Sequence, residues 1–404
     1  MVEDGTDFVR PEHVPPELAI NWDFATAPGA RYDPFAALTV LHEGRDIFWA
    51  PRVASGNPAW VVTRDSLIRE IFQDAQTFSS SKITGFSALM DETFDMIPIE
   101  KDPPEHTNYR QLLNPLFAPM RIKEIEDKVL GTAEKLVEAA LSEGECEFME
   151  AFARPFPATI FLGLMGLPLD LTKQFLSWED GLLREPTEEG RRAAARSIRD
   201  YLNELIAERR RRPIDDLISI VIQGQVNGRP MNDEEILSIC ALLFIGGLDT
   251  VTATLGFAFR HLAINLDNQQ LLREKPELRK NAIEETIRAH PPVNTYRFAT
   301  KNVVFHDVLI KEGDRIMLVP ALSGRDEREF NEPNKIDFRR ENIRHIGFGA
   351  GPHRCIGSHL ARREVGIAFD LWLDRTPLFR LKEGEEVIVE SGNPFNVIQL
   401  PLTW

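Results

Sequence analysis

The segment from Asn232 to about Ile264 limits what this chain can fold into more than any other. Asn232 offers a side-chain oxygen as N-cap, Glu235 stands three positions later as the second half of a capping box, and an apolar stretch follows. At 1.5 Å per residue the predicted helix is roughly 50 Å long, enough to cross a whole domain. The rest of the chain must wrap around it. Its longest apolar run, Ile236 to Leu248, is thirteen residues and then meets Asp249. That is short of the roughly 20 a membrane span needs, so the run reads as a buried core helix.

The flanking sequence predicts a mainly α fold with small β-sheets. Ile47 to Ala50 and Ala59 to Thr63, separated by Ser55-Gly56-Asn57-Pro58, predict a hairpin. From Pro104 to about Gln223 apolar residues recur at steps of three and four, as at Ile122, Ile125, Val129, Ala133, Leu136, Val137 and Ala140. Asn227-Gly228 marks a tight turn. A helix over about Pro276 to Ala289 ends at Pro291-Pro292. Short β-prone runs follow at Val303 to Ile310 and Arg315 to Val319, then a helix from about Ile356 to Leu373. Glu386 to Glu390 and Asn396 to Leu402 predict a last hairpin. No linker or repeat divides the 404 residues, so one domain over 1–404 is expected.

Composition excludes several classes. Forty-seven basic against sixty-three acidic residues leave a net charge of −16, unsuited to nucleic acid or an anionic membrane surface. Met1 to Pro16 carries acids and prolines where a signal peptide would be basic and then apolar. The three cysteines, Cys146, Cys240 and Cys355, are too scattered for a disulfide framework or a CxxC metal site, and a cytoplasmic protein is expected.

The segment Phe348-Gly349-Ala350-Gly351-Pro352-His353-Arg354-Cys355-Ile356-Gly357 has the form FGxGxHxCxG. A sulfur that binds iron must be a thiolate, which metal coordination and a following helix N-terminus both favour. Gly349 and Gly351 allow the backbone to turn tightly beneath the sulfur, and Gly357 leaves room for a flat macrocycle. A lone cysteine is usually a small core hydrophobe, and a glycine-rich loop can cradle phosphate. Here, however, neither GxxxxGK[ST] nor GxGxxG spacing is present.

A second departure lies inside the long helix, where Gly246, Gly247, Asp249 and Thr250 interrupt the apolar stretch. Glycine costs about 1 kcal/mol relative to alanine in a helix interior, and an unpaired buried carboxylate costs more. Glycines also permit close helix packing, and threonine can bond back to its own helix. An acid and an alcohol side by side favour a functional reading.

The cysteine loop resembles the haem-binding signature of cytochromes P-450, and the chain as a whole resembles the bacterial camphor 5-monooxygenase family. The likeness runs from His13-Val14-Pro15 through Gly224-Gln225-Val226-Asn227-Gly228-Arg229-Pro230 and Gly246-Gly247-Leu248-Asp249-Thr250 to Leu360-Ala361-Arg362-Arg363-Glu364. It implies a cytochrome P-450 fold with haem b buried between the long central helix and the cysteine loop, Cys355 ligating the iron. Glu285 and Arg288, an ExxR pair that alone is no more than a surface pair, become an ion network with Arg340 as its third member. His106 and Arg110 would serve one haem propionate, Arg297 and His353 the other. Thr295 departs from the camphor enzyme, which has an acid there.

The same likeness implies a monooxygenase in which Thr250 hydrogen-bonds the oxygen under activation and Asp249 brings protons from solvent, with Gly246 and Gly247 opening space for oxygen. It puts Phe86, Phe94, Ile99, Leu183, Leu242, Ile245, Gly246, Val293 and Pro394 around the substrate. Phe94 stands where the camphor enzyme has a tyrosine that donates to the ketone, so a bicyclic monoterpenoid such as 1,8-cineole is expected over camphor. Electrons would come from an iron–sulfur ferredoxin with a flavin reductase, which Arg110, Arg344, Arg354 and Arg362 would meet, and the protein would be a monomer. A haem sensor without turnover would need the cysteine loop but not Asp249-Thr250. A peroxide-driven or isomerising relative would also lack that pair.

Overall fold

The computed structural model describes residues 8–24, 26–53, 56–392 and 394–404, and for 124–129 the helix but not the side chains. Helices dominate. In chain order they include α1 (Asp65–Gln73), α2 (Glu105–Leu113), α3 (Pro119–Leu141), α4 (Pro155–Leu164), α5 (Thr172–Leu183), α6 (Glu188–Arg211), α7 (Leu217–Gln223), α8 (Asp233–Gly247), α9 (Asp249–Ile264), α10 (Leu266–Glu274), α11 (Arg279–Ala289) and α12 (Ser358–Arg375). The largest sheet is built from β1 (Ile47–Val53), β2 (Asn57–Val62), β3 (Phe78–Ser79), β4 (Thr295–Ala299) and β5 (Arg315–Leu318), in the order β1-β2-β5-β4-β3. β2 and β5 run parallel and the other neighbours antiparallel. This is the expected mainly α fold with small sheets.

The chain divides into two compact units. One comprises 1–83, 253–355 and 378–403 and holds the sheet, α1, α10 and α11; its core gathers Trp60, Val62, Phe72, Phe78, Ile316 and Leu318. The other comprises 84–252, 356–377 and 404 and holds α2 to α8 and α12. There Phe161 of α4, Phe175 of α5 and Phe244 of α8 pack ring against ring with centroids 5.2 to 6.2 Å apart, joining three helices at one point.

Local signals act as predicted. Asn232 Oδ1 accepts from the Glu235 amide at 2.8 Å, and Glu235 Oε2 accepts from the Asn232 amide at 2.7 Å, which starts α8. Asn227 and Gly228 both have positive φ, 54° and 74°, as a two-residue hairpin turn requires. The first hairpin forms, although Ser55 of its turn lies outside the described residues, as do the Ile125 and Val129 side chains.

Three expectations need correction. The predicted single helix over 232–264 is broken at Leu248. There Thr250 Oγ1 donates to the Gly246 carbonyl at 3.3 Å, and Thr252 Oγ1 donates to the Leu248 and Ala153 carbonyls, each at 3.1 Å. The Thr252 amide is left 3.5 Å from the Leu248 carbonyl, so hydroxyls compete for carbonyls just past two helix-weakening glycines. Second, the whole helical stretch Asp233–Ile264 does have the length and composition to cross a membrane. It is 67% buried over its most apolar window, as a core helix is, so burial rather than the length of the run carries that argument. Third, the C-terminal hairpin pairs Ile388–Glu390 with Asn396–Gln399 only. Pro401, which has no amide to donate, begins a separate strand that pairs with Arg380–Leu381.

Candidate functional site

In the first unit, the cysteine loop is a tight reversal. The Cys355 amide donates to the Phe348 carbonyl at 2.9 Å and the Gly349 amide to that of Ile346 at 2.8 Å. Gly349 and Gly351 take φ of +70° and +66°, which disfavours any L side chain. A Cβ at 351 would also lie 2.3 Å from the Phe72 carbonyl oxygen, so the loop is pressed onto the end of α1. Cys355 itself is exposed and outside any disulfide. Arg297, on β4 and 2% exposed, stacks its guanidinium 5.2 Å over the Phe72 ring, and a Cβ at Gly349 would lie 3.8 Å from the same ring. Phe72 therefore links the loop to Arg297, and His353 is half-buried on the loop itself.

The ExxR pair is no surface pair. Glu285 and Arg288 are both 0% exposed. Arg288 donates to both Glu285 oxygens at 2.7 and 2.8 Å, and to the carbonyls of Pro333, Lys335 and Gly324. Arg340 Nε reaches the same carboxylate at 3.1 Å, as the third member, and the Asp337 amide adds a fourth donor.

In the second unit, the break at Leu248 displays the acid and the alcohol. Asp249 is 3% exposed and ion-paired with Arg184, which follows α5 and also bonds Asp180 at 3.0 Å. Thr250 carries the hydroxyl already described. The two neighbouring glycines differ. A Cβ at Gly246 would meet no atom within 4 Å, whereas one at Gly247 would strike the Phe161 ring at 2.8 Å. Only Gly246 borders open space; Gly247 is small so that α8 can pack on α4.

Phe86, Phe94, Ile99, Leu183, Leu242 and Ile245 are all partly buried against a single apolar cluster in this unit. Leu242, Ile245 and Gly246 recur at helical spacing on one face of α8. The loop that bears Phe94 and Ile99 is pinned to α8 because Ser238 Oγ accepts the Ile97 amide at 2.7 Å and donates to the Asp95 carbonyl at 2.7 Å. Buried Glu100 closes it by accepting the amides of Thr84 and Met96. Val293 and Pro394 belong to the first unit. Their loops meet there, the Phe395 amide bonding the Pro292 carbonyl at 2.8 Å.

Residues 167–401 match the cytochrome P450 family model. "Probable cytochrome P450 127A1" of Sinorhizobium fredii is 39% identical over 98% of this chain and 96% of its own length. A "Steroid C26-monooxygenase" of Mycobacterium tuberculosis is 32% identical over 72% of this chain and 80% of its own. This chain belongs to the cytochrome P450 family of monooxygenases. Two solved P450 structures share its fold over 98% of this chain and all of theirs: CYP101C1 at 34% identity with a TM-score of 0.89, and CYP101J2 at 30% with 0.88.

A cytochrome P450 carries haem b on a cysteine thiolate, and the residues here fit that group. Burial pushes the thiols of Cys146 and Cys240 up to about 12, with Glu147 and Asp216 adding to the effect, so both stay protonated. Cys355 alone of the three is exposed. The two positive-φ glycines turn the loop ahead of the cysteine, and α12, with Gly357 at its N-cap, starts three residues after it. His106 on α2, 2% exposed like Arg297, adds a buried group of the kind that binds carboxylates. Arg110 is half-buried and bonds Asn114, Arg362 bonds the Ser358 carbonyl, and Arg344 and Arg354 are exposed. Thr295 sits in register with Leu318 on the sheet.

Sequence reasoning missed Arg184, Phe72, Ser238 and Glu100. Arg184, Phe72 and Ser238 each act on a partner far away in sequence, Arg184 on Asp249 65 residues on, whereas Glu100 closes a nearby loop on the amides of Met96 and Thr84; no local pattern marks these pairings.

Proposed function

We propose that this P450, working as one domain with Cys355 as the haem ligand, hydroxylates an unactivated C–H bond of a small bicyclic monoterpenoid, a cyclic ether such as 1,8-cineole rather than camphor. The observation that carries this is the set of six apolar side chains, Phe86, Phe94, Ile99, Leu183, Leu242 and Ile245, gathered on one cluster with no hydrogen-bond donor among them. Such a wall selects for shape and apolar area and offers a ketone nothing. At position 94 the missing phenol would cost a ketone about 0.5–1.5 kcal/mol.

When bound, haem supplies the activation of O2 and the transfer of one oxygen atom to the substrate. The chain's own residues manage protons. Thr250 donates its hydroxyl proton to the Gly246 carbonyl, and a hydroxyl oxygen can accept a hydrogen bond while it donates one, here beside Gly246. Asp249 carries protons inward, and must first part from Arg184. His106, Arg110, Arg297 and His353 hold the propionates. Electrons come from a ferredoxin that meets Arg110, Arg344, Arg354 and Arg362, and the protein is a cytoplasmic monomer.

The test is the substrate-induced spin-state shift across a terpenoid panel, in wild type and Phe94→Tyr. Wild type should favour 1,8-cineole, and Phe94→Tyr should move the preference toward camphor by roughly threefold to tenfold. No change in relative affinity would remove position 94 from the argument.

A further inference from the structure

A second acid stands beside the Asp249–Arg184 pair. Glu179, on α5 one helical turn before Leu183, is 4% exposed, and its Oε1 is buried without a hydrogen bond among the described residues. Four charged groups bear on it. Asp180 and Arg184 come from its own helix and the residue that caps it, Arg154 from the N-cap of α4, and Asp249 from the start of α9. Both arginines are already engaged, Arg154 with Asp180 and Glu150, Arg184 with Asp180 and Asp249. Two cations thus face three carboxylates before Glu179 is counted, Asp249 among them buried, and a charge on buried Glu179 would have no partner of its own. Burial first, and the charge of Asp249 second, push the Glu179 carboxyl up to about 8. It therefore holds its proton at neutral pH, one of a pair of acids in unlike environments.

We propose that Glu179 is the next proton station behind Asp249. It passes its carboxyl proton to the Asp249 carboxylate when the Arg184 contact opens, becomes a carboxylate itself, and regains a proton from solvent water. Glu179 touches neither oxygen nor substrate in this scheme. It acts through Asp249, and so rests on the reading of Asp249 as a proton carrier.

The test uses the haem-loaded, full-length protein. Infrared spectra of wild type should contain a protonated-carboxyl stretch at neutral pH that Glu179→Gln lacks and that titrates away as pH rises through about 8. Asp249→Asn removes the neighbouring charge and frees Arg184, so the same band should titrate at lower pH. Oxygen consumption driven by a ferredoxin and its reductase should fall on the alkaline side of the Glu179 titration in wild type. Glu179→Gln should lose that pH dependence and run several-fold slower, and Glu179→Asp should restore it in part. Absence of the band, a titration unmoved by Asp249→Asn, or an unchanged pH profile in Glu179→Gln would overturn the proposal. If the band shifts as described but Asp249→Asn keeps wild-type oxygen consumption and product yield, the reading of Asp249 itself is overturned.

Discussion

Replacing Arg288 with methionine, similar in length but uncharged, tests what the ExxR pair does. Arg288 supplies two of the bonds to the Glu285 carboxylate and bonds the carbonyls of Gly324, Pro333 and Lys335. After substitution Glu285 keeps Arg340 and the Asp337 amide, and Lys335 keeps a bond from Arg340 Nη2 at 3.0 Å. The Gly324 and Pro333 carbonyls lose the arginine. Breaking a buried pair from one side costs about 3–5 kcal/mol. Each orphaned carbonyl adds about 1–3 kcal/mol where buried. The sum, about 5–11 kcal/mol, rivals the roughly 5–15 kcal/mol by which whole proteins are stable. An exposed pair would be worth only about 0–1 kcal/mol, so the two readings are far apart. Arg288→Met should appear mostly as unfolded, haem-free protein. Guanidinium unfolding of any folded fraction should show the loss, and a loss under about 1 kcal/mol would refute the argument from burial.

Gly351→Ala should destabilise more than Gly349→Ala, because both meet a positive φ but only 351 would drive a Cβ to 2.3 Å from the Phe72 carbonyl oxygen; thermal unfolding and haem retention rank the two. Thr250→Ala should keep haem and substrate binding but divert reducing equivalents to peroxide, read as product formed per NADH, and wild-type coupling would end its proposed role. Arg229, with Tyr109 and the Asn232 amide, holds the Glu235 carboxyl down to about 2 against its ordinary 4.5. That stabilisation is present above about 4.5 and lost as pH falls toward 2, so acid unfolding of Glu235→Gln should converge with wild type at low pH. Glu179 runs the other way. Its contribution is full below its ordinary 4.5 and is lost as pH rises to about 8, so Glu179→Gln should flatten the stability profile over that interval.

What could be read in the sequence was local. The Asn232–Glu235 capping box and the Asn227-Gly228 turn each depend on residues within three positions, and both form as expected. The Phe348–Gly357 spacing identified the loop for the same reason, since its two strained glycines lie within seven residues of the cysteine. The break at Leu248 escaped because hydrophobic periodicity does not register hydroxyls competing for backbone carbonyls. The different tasks of Gly246 and Gly247 were equally hidden, being decided by where Phe161 of another helix lies. No local pattern in the sequence singles out Glu179. Only packing takes it out of water and sets it beside Asp249.

The central claim is that Cys355, rather than Cys146 or Cys240, supplies the thiolate. The carbon monoxide difference spectrum of the reduced protein measures it most directly. Wild type, Cys146→Ser and Cys240→Ser should all give the red-shifted Soret band of a thiolate-ligated haem, and Cys355→His should bind haem without it. Retention of that band in Cys355→His, or its loss in either of the other two with haem still bound, would contradict the account.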